Sequence, residues 1–311
     1  ASDNTGVGYN AGASITTGIQ NVLIGGVAGD ALTDADYNTA VGYLALSADT
    51  LGSTSVAIGA YSLEAQNFTS ATNAYNVAIG YNTGADITTG IRNTLIGGLA
   101  GDALTDADYN VAVGTGALTT DTLGSGSTAI GVDALNVQNF TSATTSYNTA
   151  VGFLAGAAVT TGVQNTLIGG LSGDAITTGD NNTAVGMASL SSLTTADNNV
   201  AMGVSALAST LTGAGNTAVG RSALASNTTG NDNTSLGYAS LDANTAANRN
   251  TAIGSEALSA FNVTSDTHTY NTAVGYAAGA AVTTGINNTI MGGLAGDAIT
   301  TASSNTALGY F

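Results

Sequence analysis

Glycine recurs in this chain at a fixed interval, each time directly after an aliphatic residue. Eighteen such pairs occur, from Val7-Gly8 to Leu308-Gly309, and they are spaced seventeen residues apart except in three units of twenty-one residues. One phrase close to Asn-Thr-Ala-Val-Gly therefore makes up nearly the whole sequence. Repeats of this kind form solenoids, because one unit cannot bury its apolar face alone and each coil packs against the next.

We number the columns of the repeat from its asparagine, so that Asn4 and Asn21 occupy column 1. Asn fills this column in sixteen of the eighteen units, column 2 is Thr or Val, column 4 is aliphatic or Met, and column 5 is always Gly. This alternation predicts one short strand per coil, and we expect columns 2 and 4 to point inward and column 3 outward. A ladder of asparagine amides and a tight corner at the glycine are expected beside it.

The fold class that this pattern predicts is all-β, a parallel β-solenoid (β-roll or β-helix) of about eighteen coils. We expect a single continuous repeat domain over residues 1–311. A helical fold is disfavoured because β-branched residues and glycine saturate the repeat. Column 9 is Leu or Gly, and where it is Gly, as at Gly84, column 12 is aliphatic, as at Ile87. This exchange indicates an interior of constant volume.

The three long units, 55–75, 127–147 and 250–270, each add four residues to the repeat. Insertions in solenoids emerge as loops on one face, which is often the binding face. We therefore expect these loops to lie on the surface, where they would recognise a glycan or protein if the chain is an adhesin. The residues expected at their tips are Asn67, Phe68, Asn139, Phe140, Asn262 and Val263.

Composition limits the partners of the chain. Its net charge is −17 and its only basic residues are three arginines, apart from one histidine. So few cations cannot neutralise a row of phosphates, which argues against nucleic acid, and they give no electrostatic attachment to an anionic membrane. No apolar stretch is long enough for a transmembrane helix, so we expect no membrane insertion.

Acidic turns are the only candidate metal sites. Two of them bring carboxylates close together in sequence, and clustered oxygen ligands suit Ca²⁺, which would be structural here. A solvated acidic turn that keeps the protein soluble is the alternative that we favour, because the spacing is not that of an EF-hand. The residues are Asp30, Asp34 and Asp36 in one turn and Asp102, Asp106 and Asp108 in the other. His268 stands alone, and we expect no catalytic residues, no other cofactor and no enzyme activity.

The phrase Asn-Thr-Ala-Val-Gly-Tyr-x-Ala-Leu followed by Thr-Thr-Gly resembles the repeats of tail-fibre-like proteins of phages and environmental bacteria. It is more distantly similar to the head repeats of trimeric autotransporter adhesins, whose Val-Ala-Ile-Gly core occurs here at 56–59 and 77–80. The resemblance covers essentially residues 4–311. It implies extracellular, fibrous and often trimeric β-rolls that act as shafts or adhesive surfaces. The adhesin repeat is shorter, so its trimer geometry does not transfer directly.

These observations favour a non-enzymatic structural protein of an extracellular, cell-surface or virion fibre. The repeat continues to both ends, so we expect end-to-end stacking through Ala1, Asp3, Tyr310 and Phe311, the alternative being a piece of a longer fibre. Leu23, Leu95, Leu167 and Ile290 replace Ala at column 3, where outward side chains would give lateral contacts and trimers. An adhesin or tail-fibre shaft is the alternative function. Ice binding is a lesser one, because we expect the threonines of column 2 to face inward.

Overall fold

The computed structural model describes residues 3–310, and over that range the chain contains short strands and turns but no helix. It forms two compact units, the first ending at Thr161 and the second beginning at Gly162. Both units wind as parallel β-solenoids with one three-residue strand per coil, and the described residues make about eighteen coils. The predicted fold class is therefore confirmed.

The first unit contains thirteen strands within its described residues. Nine of them pair in parallel along one sheet, and the pairing is column on column, so that Thr94 opposes Val111 and Leu95 opposes Ala112. Two further pairs, β4 with β6 and β10 with β12, join each long unit to the coil before it. The strands are β1 (Thr5–Val7), β2 (Val22–Ile24), β3 (Thr39–Val41), β4 (Gly52–Ser53), β5 (Val56–Ile58), β6 (Thr72–Asn73), β7 (Val77–Ile79), β8 (Thr94–Ile96), β9 (Val111–Val113), β10 (Gly124–Ser125), β11 (Thr128–Ile130), β12 (Thr144–Thr145) and β13 (Thr149–Val151).

The second unit repeats this arrangement. Its described residues contain eleven strands, of which nine form a parallel sheet in the same register and two, β19 and β21, pair beside the third long unit. The strands are β14 (Thr166–Ile168), β15 (Thr183–Val185), β16 (Val200–Met202), β17 (Thr217–Val219), β18 (Thr234–Leu236), β19 (Ala247–Asn248), β20 (Thr251–Ile253), β21 (Thr267–His268), β22 (Thr272–Val274), β23 (Thr289–Met291) and β24 (Thr306–Leu308).

The strand side chains point in the opposite sense to the one predicted. Column 3 is buried, as at Ala112, whereas columns 2 and 4 face outward, as at Val111 and Ile96, the latter 37% exposed. The expectation that columns 2 and 4 face inward is therefore wrong. The lateral contacts expected from column 3 are wrong for the same reason, because the larger residues there are all buried: Leu23, Leu95, Leu167 and Ile290.

Interior volume explains the reversal. Buried leucines at column 9, such as Leu118, fill the coil and leave room only for alanine at column 3. Leu95 at column 3 packs against a glycine at column 9 of the preceding unit: a Cβ on Gly84 would lie 2.7 Å from Cδ1 of Leu95 and 3.1 Å from Cδ1 of Ile87. Columns 3, 9 and 12 thus share one volume, and the predicted exchange between columns 9 and 12 is confirmed.

The asparagines of column 1 form the predicted ladder inside each unit. The side-chain oxygen of Asn76 accepts the backbone N–H of Asn93 at 2.9 Å, and the side-chain oxygen of Asn93 accepts that of Asn110 at 2.9 Å. The side-chain amide of Asn93 also donates to the carbonyl of Ala107 at 2.8 Å, across its own coil. These groups are buried, so the ladder satisfies polar backbone atoms that water cannot reach.

The glycine of column 5 lies where two coils approach most closely. Gly97 has φ of +132°, and a Cβ there would lie 2.6 Å from the carbonyl oxygen of Gly114 in the next coil. Both the backbone conformation and the close approach of the next coil therefore require glycine at column 5, as predicted. Columns 7, 9 and 17 are left-handed as well, yet most of them carry side chains, for example Leu44, Leu46 and Tyr37 with φ of 57°, 53° and 60°.

Candidate functional site

Each unit presents an outward sheet face, which we define as the side chains of columns 2 and 4 on its three-residue strands. In the first unit it presents Ile24 and Ile130 with 39% and 38% of their surface exposed, and in the second unit Met202 with 44%. The second unit has Thr at column 2 in every coil except that of Val200. Each unit therefore exposes a regular array of threonine and aliphatic side chains.

No charged residue of the chain occupies columns 1 to 5 of any unit. The acidic residues lie instead in columns 7, 10 to 12, 14, 16 and 17 and in the long-unit loops. Large exposed side chains at column 6, such as Tyr43, Tyr81 and Tyr276, adjoin the strands in sequence. The outward sheet face is thus an uncharged, partly apolar surface on a strongly acidic protein.

The first two long-unit loops are held by buried carboxylates that the sequence interpretation missed. The carboxylate of Asp49 accepts the backbone N–H groups of Gly52 at 2.9 Å and Phe68 at 3.1 Å, and the side-chain amide of Gln66 donates to it at 2.6 Å. Because Phe68 is only 6% exposed, it belongs to the core of the loop. The side-chain oxygen of Asn67 accepts the Thr50 hydroxyl at 3.1 Å.

The same arrangement recurs in the second long unit. Asp121 accepts the backbone N–H groups of Gly124 and Phe140, both at 3.0 Å, and the side-chain amide of Gln138 at 2.6 Å. Burial raises the pKa of the Asp121 carboxyl, although these hydrogen bonds, with Gln138 first, act in the opposite direction. Asn139 accepts the Thr122 hydroxyl at 3.2 Å.

The expected surface loops need correction at their aromatic residues. Phe68 and Phe140 are buried, because each backbone N–H is drawn inward to a buried aspartate and the ring follows. In the third long unit Phe261 is buried, whereas Asn262 and Val263 are partly exposed. Asn262 accepts the hydroxyl of Thr245 at 2.8 Å.

The aspartates considered as calcium ligands make separate local hydrogen bonds. Asp36 accepts the backbone N–H of Ile19, and Asp108 that of Ile91, both at 2.8 Å. These two aspartates occupy column 16, where each accepts a backbone N–H group of the preceding coil. The remaining bonds run from Thr17 to Asp34 at 2.5 Å, from Thr89 to Asp106 at 2.6 Å and from Thr119 to Asp102 at 2.5 Å, while Asp30 is partly buried at column 10.

Among residues 3–310, no three carboxylate or imidazole groups come together in an arrangement that could hold a metal ion. Burial raises the pKa of the Asp102 carboxyl, an effect that its hydrogen bond from Thr119 opposes. His268 is exposed, and its ring meets the edge of Tyr270 with centroids 6.0 Å apart. The two sets of aspartates thus serve backbone and hydroxyl groups rather than a common site.

At the ends of the described range, Asp3 and Tyr310 are exposed. Ala1 and Phe311, the other two residues expected in end-to-end contacts, lie outside the described residues. End-to-end stacking therefore stays a prediction from the sequence.

Within residues 3–310 there is no apolar helix of membrane-spanning length.

A signal for the buried aspartates is present in the sequence. Column 12 reads Asp and then Gln in consecutive units at Asp49 and Gln66, and again at Asp121 and Gln138; each time the Asp is in the unit before a long unit and the Gln is in the long unit. Polar residues in a core column indicate paired side chains, because burial of a polar group is costly unless it has a hydrogen-bond partner.

No protein-family model matches this chain, and a search of curated proteins returns no significant relative.

Proposed function

We propose that this chain is a non-enzymatic structural protein of an extracellular fibre, and that its copies associate laterally through the outward sheet face. The single observation that carries the proposal is the uncharged array of threonine and aliphatic side chains on each unit. An exposed apolar surface of this regularity is typical of an interaction site. The extracellular location follows from the resemblance to fibre repeats.

A second copy of the same chain is the occupant that the charge distribution favours. With a net charge of −17, two copies repel each other wherever their acidic turns approach. The outward sheet face is free of charge, so contact there avoids that repulsion. A copy also has the same spacing from coil to coil, which lets side chains of one face interdigitate with those of the other along the whole contact.

Sedimentation velocity at micromolar concentration tests this proposal. We expect the wild-type chain to sediment as a multi-chain species. The variant Ile96→Lys/Ile130→Lys places two charges on the outward sheet face, and we expect it to sediment as a monomer of 30.1 kDa. The matched control Asn73→Lys/Thr120→Lys adds the same charge at exposed residues outside that face and should assemble like the wild type. A monomeric wild-type chain would refute the proposal.

Ice binding is a second candidate, because the threonines of column 2 face outward and not inward as expected. In the second unit Thr234 and Thr289 are exposed beside Leu236 and Met291 at column 4. A rigid, regular array of hydroxyl and methyl groups is a surface that could order water in a lattice. Thermal hysteresis of the purified chain tests this function, and replacement of Thr234 and Thr289 by Lys should abolish any hysteresis. Zero hysteresis for the wild type would exclude it.

A further inference from the structure

Side chains at column 17 stack on one another from coil to coil. The guanidinium of Arg92 lies over the ring of Tyr109 in the next coil, 5.4 Å from its centroid, and donates a hydrogen bond to the Tyr109 hydroxyl at 2.6 Å. One face of Tyr109 is thereby covered by a cation–π contact. In the coil that follows Tyr109, column 17 is Gly126, which offers no side chain to the other face of the ring.

The missing side chain leaves an open cavity of about 350 Å³, which we call the tyrosine slot. A Cβ at Gly126 would lie 3.2 Å from the methyl carbon of Thr145 and 3.8 Å from Cδ1 of Tyr147, so the slot is bounded on that side by the second long unit. Tyr109 and Tyr147 are 53% and 64% exposed, so the slot opens to solvent. Its lining residues are Asp108, Tyr109, Ser125, Gly126, Thr145 and Tyr147.

Backbone conformation does not account for glycine at this place. Gly126 has φ of +72°, but Tyr109 adopts φ of 60° in the same column. Thr54, which lies 72 residues before Gly126 and is likewise the last residue before a long unit, adopts φ of 65° and donates its hydroxyl to the carbonyl of Ser53 at 2.5 Å. The chain thus tolerates threonine in this conformation, and what Gly126 adds is space.

The chemistry of the slot suits a sugar ring. Two tyrosine rings provide flat apolar surfaces against which the C–H face of a pyranose can pack, and a cavity of this size is in the range of small-ligand sites. One carboxylate oxygen of Asp108 accepts the backbone N–H of Ile91 at 2.8 Å, which orients the carboxylate and leaves its second oxygen to accept sugar hydroxyls. The hydroxyl of Ser125 accepts the backbone N–H of Asp108 at 3.0 Å and keeps its own proton to donate.

We propose that the tyrosine slot binds one neutral pyranose residue of a glycan. The Asp108 carboxylate and the net charge of −17 disfavour acidic sugars. An aromatic side chain of a protein partner would fill the space between the rings, but it would leave the Asp108 carboxylate and the Ser125 hydroxyl without hydrogen-bond partners. The slot does not include the outward sheet face, so sugar binding and self-association can fail independently.

Saturation-transfer NMR with neutral methyl glycosides of glucose, mannose, galactose and N-acetylglucosamine tests the proposal. We expect the wild-type chain to bind at least one of them at millimolar concentration. Gly126→Thr copies the natural Thr54 and should fold normally while losing binding by at least about tenfold, a difference of about 1.4 kcal/mol. Tyr147→Ala removes one wall at an exposed residue and should give a similar loss.

The internal repeat also supplies a gain-of-binding test. Thr54 is flanked by Tyr37 and Tyr75 as Gly126 is flanked by Tyr109 and Tyr147, so Thr54→Gly should open a second slot and double the number of bound sugars. An unchanged stoichiometry would show that the missing side chain does not create the site. The proposal is overturned if no glycoside binds the wild type, if Gly126→Thr binds as well as the wild type, or if phenol binds the slot while the glycosides do not.

Discussion

Replacing Asn93 by alanine removes one step of the asparagine ladder. Its side-chain oxygen is the acceptor for the backbone N–H of Asn110, and its side-chain amide is the donor to the carbonyl of Ala107. Asn110 and Ala107 are both fully buried. Over residues 3–310, the structure shows no second hydrogen bond to either of these backbone groups. The substitution therefore leaves one buried donor and one buried acceptor unsatisfied.

The magnitude follows from those two groups. A buried polar group that loses its only partner costs about 1–3 kcal/mol, so Asn93→Ala should lower the free energy of unfolding by about 2–6 kcal/mol. The side-chain amide also leaves a small cavity, which adds to the loss. The double variant with Asn76→Ala should cost less than the sum of the two single substitutions, because Asn76 and Asn93 share a hydrogen bond.

Urea unfolding followed by far-ultraviolet circular dichroism measures this effect, and hydrogen exchange at the Asn110 amide localises it. We expect an earlier unfolding midpoint and faster exchange at Asn110 for Asn93→Ala. Asn73→Ala is the matched control, because Asn73 is exposed. A stability of Asn93→Ala within about 0.5 kcal/mol of this control would refute the ladder as a source of stability.

Three further predictions follow from the interior and the close contacts. Thr210→Val should raise the free energy of unfolding by about 1–3 kcal/mol in urea titrations, because the Thr210 hydroxyl is buried without a partner among the described residues; a loss of stability would contradict this. Gly97→Ala should destabilise by about 3 kcal/mol in the same assay, since its Cβ would lie 2.6 Å from the oxygen of Gly114, whereas Gly98→Ala, with its nearest neighbour at 3.9 Å, should be nearly neutral; equal effects would contradict the steric argument. Burial raises the pKa of the Asp121 carboxyl and of three other aspartates, so their contribution to stability is complete below the pKa of an unfolded aspartate, about 3.9, and is lost as the pH rises through the higher folded pKa values. The thermal midpoint should therefore fall as the pH is raised from about 3.9, and a rise over that range would contradict the assignment.

Much of the fold is predictable because the repeat applies one constraint many times. The glycine of column 5 occupies a backbone position that a side chain would block, as Gly97 shows, and the asparagine of column 1 hydrogen-bonds to buried backbone groups, as Asn93 shows. The sequence did not reveal in the same way which columns of the strand face the interior. A three-residue alternation fits both orientations, and the choice depends on how much volume column 9 leaves inside the coil, as the pair Gly84 and Leu95 shows.

The candidate sites were less predictable, because they depend on which columns meet in space. The tyrosine slot can be recognised only when the structure shows that column-17 side chains stack from coil to coil. Gly126 in the sequence does not by itself reveal this stacking. Phe68 was expected on the surface because its loop is an insertion, but the backbone bond to Asp49 turns it inward. A comparison of Thr54 with Gly126 across the 72-residue repeat could have directed attention to the slot.

The proposal of a fibre that assembles through the outward sheet face is tested most directly by electron microscopy of the purified chain at neutral pH. It predicts multi-chain fibres for the wild type and for Asn73→Lys/Thr120→Lys, and dispersed single chains for Ile96→Lys/Ile130→Lys. X-ray diffraction from aligned wild-type fibres should show the spacing of hydrogen-bonded strands, about 4.8 Å. Dispersed single chains of the wild type, or fibres that persist in the Ile96→Lys/Ile130→Lys variant, would contradict the proposal.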